Sequence, residues 1–308
     1  MIKSSPFSTI AALSFLLVPT FAGSAAFPTK ADTVAAAPET ARLFNAYFDA
    51  KSRHDVEATM GFFSPQLLTY TDAVLGWPLD SYDSLKSVFA EAMPKWGSGK
   101  SYPVRVIGGP NSAIVAFVDT PELFGGEIRL IGAVDFKDGK IIRWVDYWDS
   151  TGFPTDIYRA VRTPEAKFPT DFKESGIRNN ASPEIGKAAA GYHAAVSSGD
   201  FGHLADLLSY DVVYEDEALR TRVVGRDAVT RYLGRIVKSA PFGAGSTLLH
   251  VVGGKAGGGF EWRGKEMRGI TAIELNSDAK ATRITTTYDG RLLSADLRKR
   301  LVSLSAEE

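Results

Sequence analysis

The sequence predicts the α+β fold class, with two tandem domains that each pack N-terminal helices on a curved, mostly antiparallel sheet. Three observations carry this expectation. A chain of 308 residues, 44% hydrophobic and 23% charged, can fill more than one core, because single cores stop growing near roughly 250 residues. The chain also repeats itself at a nearly constant offset. Within each copy, apolar residues recur at helical spacing first and at a spacing of two afterwards, the order of an α+β unit.

The offset can be followed along the chain. Tyr47 and Tyr192 lie 145 residues apart, as do Asp55 and Asp200, whereas Asp72 and Asp216, like Asp83 and Asp227, lie 144 apart. Towards the end of each copy, Arg143 and Arg283, Trp148 and Tyr288, and Asp149 and Asp289 are all separated by 140. Drift this small places the insertions in loops and marks two homologous units.

Each element then has its own signal. Leu43, Phe44, Tyr47 and Phe48, followed by Val56 and Met60, predict two short helices broken near His54-Asp55, and the figure returns in the stretch from Tyr192 to Leu208. A short strand (Leu67 to Tyr70; Val212 to Tyr214) and a helix (Asp83 to Met93; Asp227 to Val237) follow in each copy. Strands are expected in the first copy near 102–107, 113–118, 128–136 and 141–148, with a turn at Lys137-Asp138-Gly139-Lys140. A charged helix from Ala295 to Leu304 closes the chain. The resulting division is a signal peptide over 1–26, a Pro/Ala-rich leader over 27–38, a first domain over 39–152, a linker over 153–182, a second domain over 183–293 and a tail over 294–308.

The N-terminus reads as an export signal. Lys3, an apolar run from about Ile10 to Ala22 and the small residues Ser24-Ala25-Ala26 have the order of a secretory signal peptide, which predicts a secreted or periplasmic protein. The run is shorter than the roughly 20 residues a membrane-spanning helix needs, and Pro19 interrupts it, so no integral membrane segment is expected after processing. The chain has no cysteine, so packing alone must stabilise it. A formal net charge of -1 gives no long-range field towards phosphate backbones, and no nucleic-acid partner is expected.

Several chemistries lack their spacing. His54, His193, His203 and His250 are scattered, which predicts no metal site, and neither a nucleophile elbow nor a phosphate loop occurs. The run Gly253-Gly254-Lys255-Ala256-Gly257-Gly258-Gly259 has no Lys-Ser/Thr pair behind it and reads as a flexible hairpin loop. What remains is polar groups where an interior is expected. On the last strand of the first copy, a period of two puts Ile142, Trp144, Asp146 and Trp148 on one face, a carboxylate between two indoles. The matching face of the second copy is Thr282, Ile284, Thr286 and Tyr288.

Tyr47 eight residues before Asp55, Asp72 closing Leu68-Thr69-Tyr70-Thr71-Asp72, and Asp146-Tyr147-Trp148 on the last strand together resemble ketosteroid isomerase within the NTF2-like and SnoaL-like group of cone-shaped domains. The resemblance implies no cofactor. It implies a helix tyrosine that donates to a developing enolate (Tyr47, Tyr192), an aspartate that shuttles the proton (Asp72, Asp216) and an aromatic pocket residue (Trp148, Tyr288). The family's protonated aspartate falls on Gly132 in the first copy and on Thr271, a weaker donor, in the second.

The residues also have plainer readings. Tyr47 shares an apolar stripe with Phe44 and Phe48, and aspartates before loops are favoured for turn reasons. Two functions stay open: a cofactor-independent isomerase, cyclase or lyase moving protons on a small apolar carbonyl compound, or a non-catalytic module that binds a ligand or a partner. In either case Trp144, Asp146, Trp148, Tyr288 and Thr271 are candidate ligand-binding residues. The two copies are expected to pack through their sheets as an internal pseudo-dimer, burying both faces of the strand Ile128 to Phe136.

Overall fold

The computed structural model describes residues 30–178 and 180–306, so the N-terminal apolar run and the expected cleavage point lie outside the described residues. The first domain opens with helix α1 (Pro38–Ser52), whose proline at the first turn and Glu39 suit a helix N-terminus. Its stripe Phe44, Tyr47, Phe48 is buried. Asp55 caps α2 (Val56–Met60) by accepting from the Ala58 amide at 2.9 Å. Strands β1 (Thr69–Asp72) and β2 (Trp77–Leu79) follow, then α3 (Tyr82–Ala92), begun by a reciprocal cap between Ser81 and Ser84. Strands β3 (Ser101–Gly108) and β4 (Ser112–Asp119), the short helix α4 (Pro121–Phe124), and β5 (Ile128–Lys137) and β6 (Lys140–Trp148) complete the unit.

The second domain repeats this order with α6 (Pro183–Ser198), α7 (Phe201–Leu207), β7 (Leu208–Asp216), β8 (Thr221–Val224), α8 (Arg226–Ile236), β9 (Thr247–Gly254), β10 (Gly257–Arg263), β11 (Arg268–Leu275) and β12 (Ala281–Tyr288). Helix α5 (Thr155–Val161) lies between the domains, and α9 (Ala295–Ser303) packs Leu301 into the second core. The two sheets are six-stranded with matching orders, β2-β1-β6-β5-β4-β3 and β8-β7-β12-β11-β10-β9. Each is antiparallel except where β1 meets β6 and β7 meets β12 in parallel. The parallel contact places Asp72 beside Asp146, and its counterpart places Asp216 beside Thr286.

The repeat extends to the backbone. Gly108 and Gly253 both take a positive φ at the ends of β3 and β9, and each carbonyl accepts from the residue that starts the domain's first helix, Ala37 or Ser182. Only glycine adopts that conformation cheaply, which accounts for these two positions.

Helices cover one face of each sheet. The opposite faces meet in a shared apolar cluster, with Ile107, Ile114, Ile131 and Val145 on one side and Val252, Ile270 and Ala272 on the other. Strand β5 is accordingly buried on both faces from Leu130 to Phe136. The glycine run differs from its expectation: it is not a flexible loop. Lys255 and Ala256 form a tight turn, and the glycines lie in β9 and β10 against the first domain. A Cβ on Gly254 would come within 2.8 Å of the Gly109 amide nitrogen, and one on Gly257 within 2.9 Å of the Ile107 side chain. Absent side chains let the backbones approach, which a local reading of glycine as a loop former misses.

The segment 153–182 is packed rather than free of contacts. Tyr158 and Phe172 are buried, the Trp77 indole donates to the Val161 carbonyl at 2.7 Å, and the Thr163 amide to the Leu75 carbonyl at 2.8 Å. Before α1, Asp32 and Ala36 bridge to β3 in parallel and cover its outer edge.

Candidate functional site

Among the polar groups singled out in the sequence, Tyr47, Asp146, Asp216 and Tyr288 are buried beneath the helices, and Asp72 is half-buried. Asp72 ends β1, where its Oδ1 accepts from the amides of Val74 at 2.9 Å and Leu75 at 2.8 Å. That half of the carboxylate has the turn role expected of an aspartate before a loop. The other oxygen, Oδ2, accepts from the Trp148 indole at 3.0 Å. Burial pushes the Asp72 carboxyl up to about 6 despite the three donors.

The second domain rebuilds this pair with different chemistry. Asp216 Oδ1 accepts from the Leu219 amide at 2.9 Å, and its Oδ2 from the Tyr288 hydroxyl at 3.1 Å. Burial again raises the carboxyl, to about 7. Trp148 and Tyr288 are therefore the same donor position in two versions.

Tyr47 does not join Asp72. Its hydroxyl is fully buried and has no hydrogen-bond partner, although Tyr70 lies near enough to bias its ionisation. Burial, then the charge of Asp146, holds the Tyr47 phenol well above its usual value, and Tyr70 likewise. Phe48 at 5.0 Å, Trp144 at 5.2 Å and Phe63 at 5.8 Å surround the Tyr47 ring, centroid to centroid. Tyr192, its counterpart, feels the charge of Asp216.

Asp146 is the centre of the first-domain group. Its Oδ1 accepts from the Trp144 indole at 2.5 Å, and burial pushes the carboxyl up to about 8. Gly132 pairs with Asp146 across the β5–β6 ladder, and a Cβ there would sit 2.9 Å from the Trp144 indole nitrogen and 3.0 Å from Asp146 Oδ1. The missing side chain at 132 thus gives the carboxyl its room. In the second domain the same pair is Thr271 and Thr286, whose hydroxyls lie 3.1 Å apart.

Two groups here escaped the sequence reading. Tyr70 lies two residues before Asp72, on the same strand face, so period two could have found it. Lys51 continues the α1 stripe after Phe44, Tyr47 and Phe48. It is buried in an ion pair with Asp119 at 3.2 Å and lies 5.2 Å from the Phe117 ring centroid. A lysine on an apolar stripe was the available signal.

Two clefts open elsewhere on the surface. One, of about 190 Å³, runs between Ala73-Val74, the segment from Arg162 to Thr170, and the turn from Arg263 to Arg268. The other, of about 350 Å³, lies between Leu219-Arg220 and α9. No cluster of His, Cys, Asp or Glu suited to a metal occurs among the described residues.

No known family model matches the chain, and no curated protein does. Solved structures similar to it are NTF2-like, SnoaL-like and cystatin-like proteins. One is an uncharacterized bacterial protein with a cystatin-like fold from Silicibacter pomeroyi, 17% identical over 40% of this chain and 85% of that one, with a TM-score of 0.34. An NTF2-like protein of unknown function from Burkholderia pseudomallei is 12% identical over 41% of this chain and 100% of its own, with a TM-score of 0.33. A SnoaL-like protein of unknown function from Burkholderia thailandensis is 11% identical over 37% of this chain and 100% of its own, with a TM-score of 0.32.

Proposed function

We propose that this is an exported small-molecule pocket protein whose first domain moves protons on a small apolar carbonyl compound without a cofactor. The observation that carries the reading is the paired carboxyls of Asp72 and Asp146, adjacent across β1 and β6 and pushed by burial to about 6 and about 8. Two titratable groups whose environments separate their proton affinities around neutrality can serve as base and acid together. At pH 7 Asp72 is largely ionised and Asp146 largely protonated. Asp72 takes a proton from the carbon next to the carbonyl. The oxygen that gains charge is met by the Tyr47 hydroxyl and by the protonated Asp146, and Asp72 returns the proton to another carbon.

Asp146 would then supply the acid whose expected place holds Gly132. In the second domain Asp216 keeps its Tyr288 donor but has Thr286 beside it where the first domain has Asp146, so the first domain is the active one in this reading.

The expected pH profile follows from the two groups. The rate rises as Asp72 ionises near pH 6 and falls as Asp146 loses its proton near pH 8. Asp72→Asn should cost about 10²-fold or more in rate, and Tyr47→Phe less. Proton exchange into a panel of enones and other small carbonyl compounds, followed by NMR, is the measurement. The aromatic packing around Tyr47 favours a second reading, a module that holds an apolar ligand or partner without chemistry. Binding without exchange above background would select it.

Two further parts belong to this proposal. The domains, over 39–152 and 183–293, form an internal pseudo-dimer. Reciprocal contacts support it: Asp149 accepts from the Gly290 amide at 3.1 Å, while its counterpart Asp289 accepts from the Ser150 hydroxyl at 2.6 Å. The chain is secreted or periplasmic, cut near Ala26, and residues from Asp32 onwards remain to cover the edge of β3. N-terminal sequencing of the exported protein should read a start near residue 27, and an intact Met1 would refute the cleavage.

A further inference from the structure

The two halves differ where their pseudo-equivalent surfaces face the junction. Glu217 follows Asp216 in the second domain, and burial pushes its carboxyl up to about 7, countered in part by the charge of Arg129 on the first domain's β5. The counterparts on the other side are Ala73, after Asp72, and Arg268, on β11. Ala73 has no carboxylate to offer, and the space it leaves belongs to the cleft of about 190 Å³ that Arg268 also lines. One side of the molecule therefore carries a buried carboxyl after the strand, and the other has a cleft.

Arg268 is only partly satisfied. Its side chain is 9% exposed, and its Nη2 donates to Glu174 at 2.5 Å and to the Thr170 carbonyl at 3.3 Å. Nε and Nη1 are buried without a hydrogen-bond partner. The guanidinium lies over the Phe172 ring at 4.2 Å, and that of Arg162 over Phe168 at 4.5 Å. The lining also holds Arg263 and Lys265, against Glu165, Glu266 and Asp289. Glu165 is paired with Arg162 at 3.2 Å, and Asp289 already accepts from Tyr158 and Ser150. Val74, Phe168, Pro169 and Met267 give the cleft an apolar wall. Its volume is below the roughly 300–1,000 Å³ of sites for drug-sized ligands, so an occupant is small.

We propose that this cleft binds a small organic carboxylate with a flat apolar body, seated beyond Ala73 at the position where the second domain carries the Glu217 side chain. The body lies against Val74 and Phe168, and the carboxylate faces Arg268 with Lys265 and Arg263 at the rim. This site is separate from the interior of the first domain and does not depend on the chemistry proposed there.

The test is titration of the full chain with benzoate, benzyl alcohol and inorganic phosphate, read by calorimetry and by NMR shifts of residues 263–268. Benzoate should bind at least tenfold more tightly than either benzyl alcohol or phosphate, since it alone offers both charge and ring. Ala73→Glu, which copies the second domain's arrangement, should weaken benzoate at least tenfold. Lys265→Gln, at an exposed rim position that leaves folding intact, should weaken it severalfold. Asp146→Asn should leave it within twofold, and a tenfold loss there would place the benzoate in the interior instead. Equal affinity for phosphate would reduce the site to a cationic patch. Equal affinity for benzyl alcohol, or benzoate binding indifferent to both Ala73→Glu and Lys265→Gln, would overturn the proposal.

Discussion

A carboxyl held at about 8 records the cost of its surroundings, and for Asp146 the cause is burial among rings, offset in part by the Trp144 indole. Below about pH 4 the group is protonated in both the folded and the unfolded chain. Between about 4 and 8 the unfolded chain releases the proton while the folded chain keeps it. The folded state then binds more protons, and stability falls as pH rises; above 8 both states are ionised and the penalty is constant. Asp146→Asn keeps the shape and an acceptor for Trp144 but has no proton to lose. Its advantage over the native chain should grow by about 1.4 kcal/mol per pH unit across that window and level off above it. Urea unfolding of both proteins at pH 5, 7 and 9 measures this, and an advantage that does not change with pH would mean that Asp146 ionises near the ordinary carboxylate value. Asp72 and Asp216 contribute the same sign over a narrower range, ending near 6 and 7. Asp146 itself was legible from period two on β6, whereas its proton affinity depends on Gly132 and on rings from α1, β1 and β4 that no local pattern brings together.

The elements separate what is local from what is not. The capped helices, the two-residue turn at Asp138-Gly139 and the order of strands are written in short stretches of sequence, and the structure has them close to the expected residues. Strand β7 runs from Leu208 to Asp216, well beyond the Val212 to Tyr214 that alternation suggested. Its added residues pair with β12 through an irregular register at Ala281, a partner more than 60 residues away. The glycine run shows the same limit. Gly257 meets Ile273 of its own sheet and Ile107 of the other domain, so its role exists only once both sheets are in place. Asp72, Trp148, Asp216 and Tyr288 were each named through the resemblance, but the parallel contacts of β1 with β6 and β7 with β12 that bring them together are not written in any one strand. The separation of Tyr47 from Asp72 is not written there either, because it depends on how α1 lies across the sheet.

At the scale of the molecule, the junction between the sheets contains more than apolar contact. Arg143 of β6 is wholly buried and pairs with Glu261 of β10 at 2.7 Å and with Asp135 of β5 at 3.5 Å. His250 of β9 meets Asp135 at 2.9 Å, and the Tyr147 hydroxyl donates to Glu261 at 2.7 Å. Separating the domains would expose the shared apolar cluster and break the contacts of Arg143 and Tyr147 with Glu261 and of His250 with Asp135, so the halves should not melt independently. The intact chain is expected to unfold in one transition, with the amides of β5 and β11 exchanging hydrogen through the same global opening. Arg143→Met should lower stability by about 3–5 kcal/mol, because Glu261 then stays buried without its cation. Adding Glu261→Leu should recover only part of that loss, since it removes the stranded carboxylate but leaves the buried Tyr147 hydroxyl without its acceptor. Calorimetry and hydrogen exchange on the three proteins decide the matter: two resolved transitions in the native chain, or an Arg143→Met effect confined to the amides of the first domain, would mean that the junction does not couple the halves.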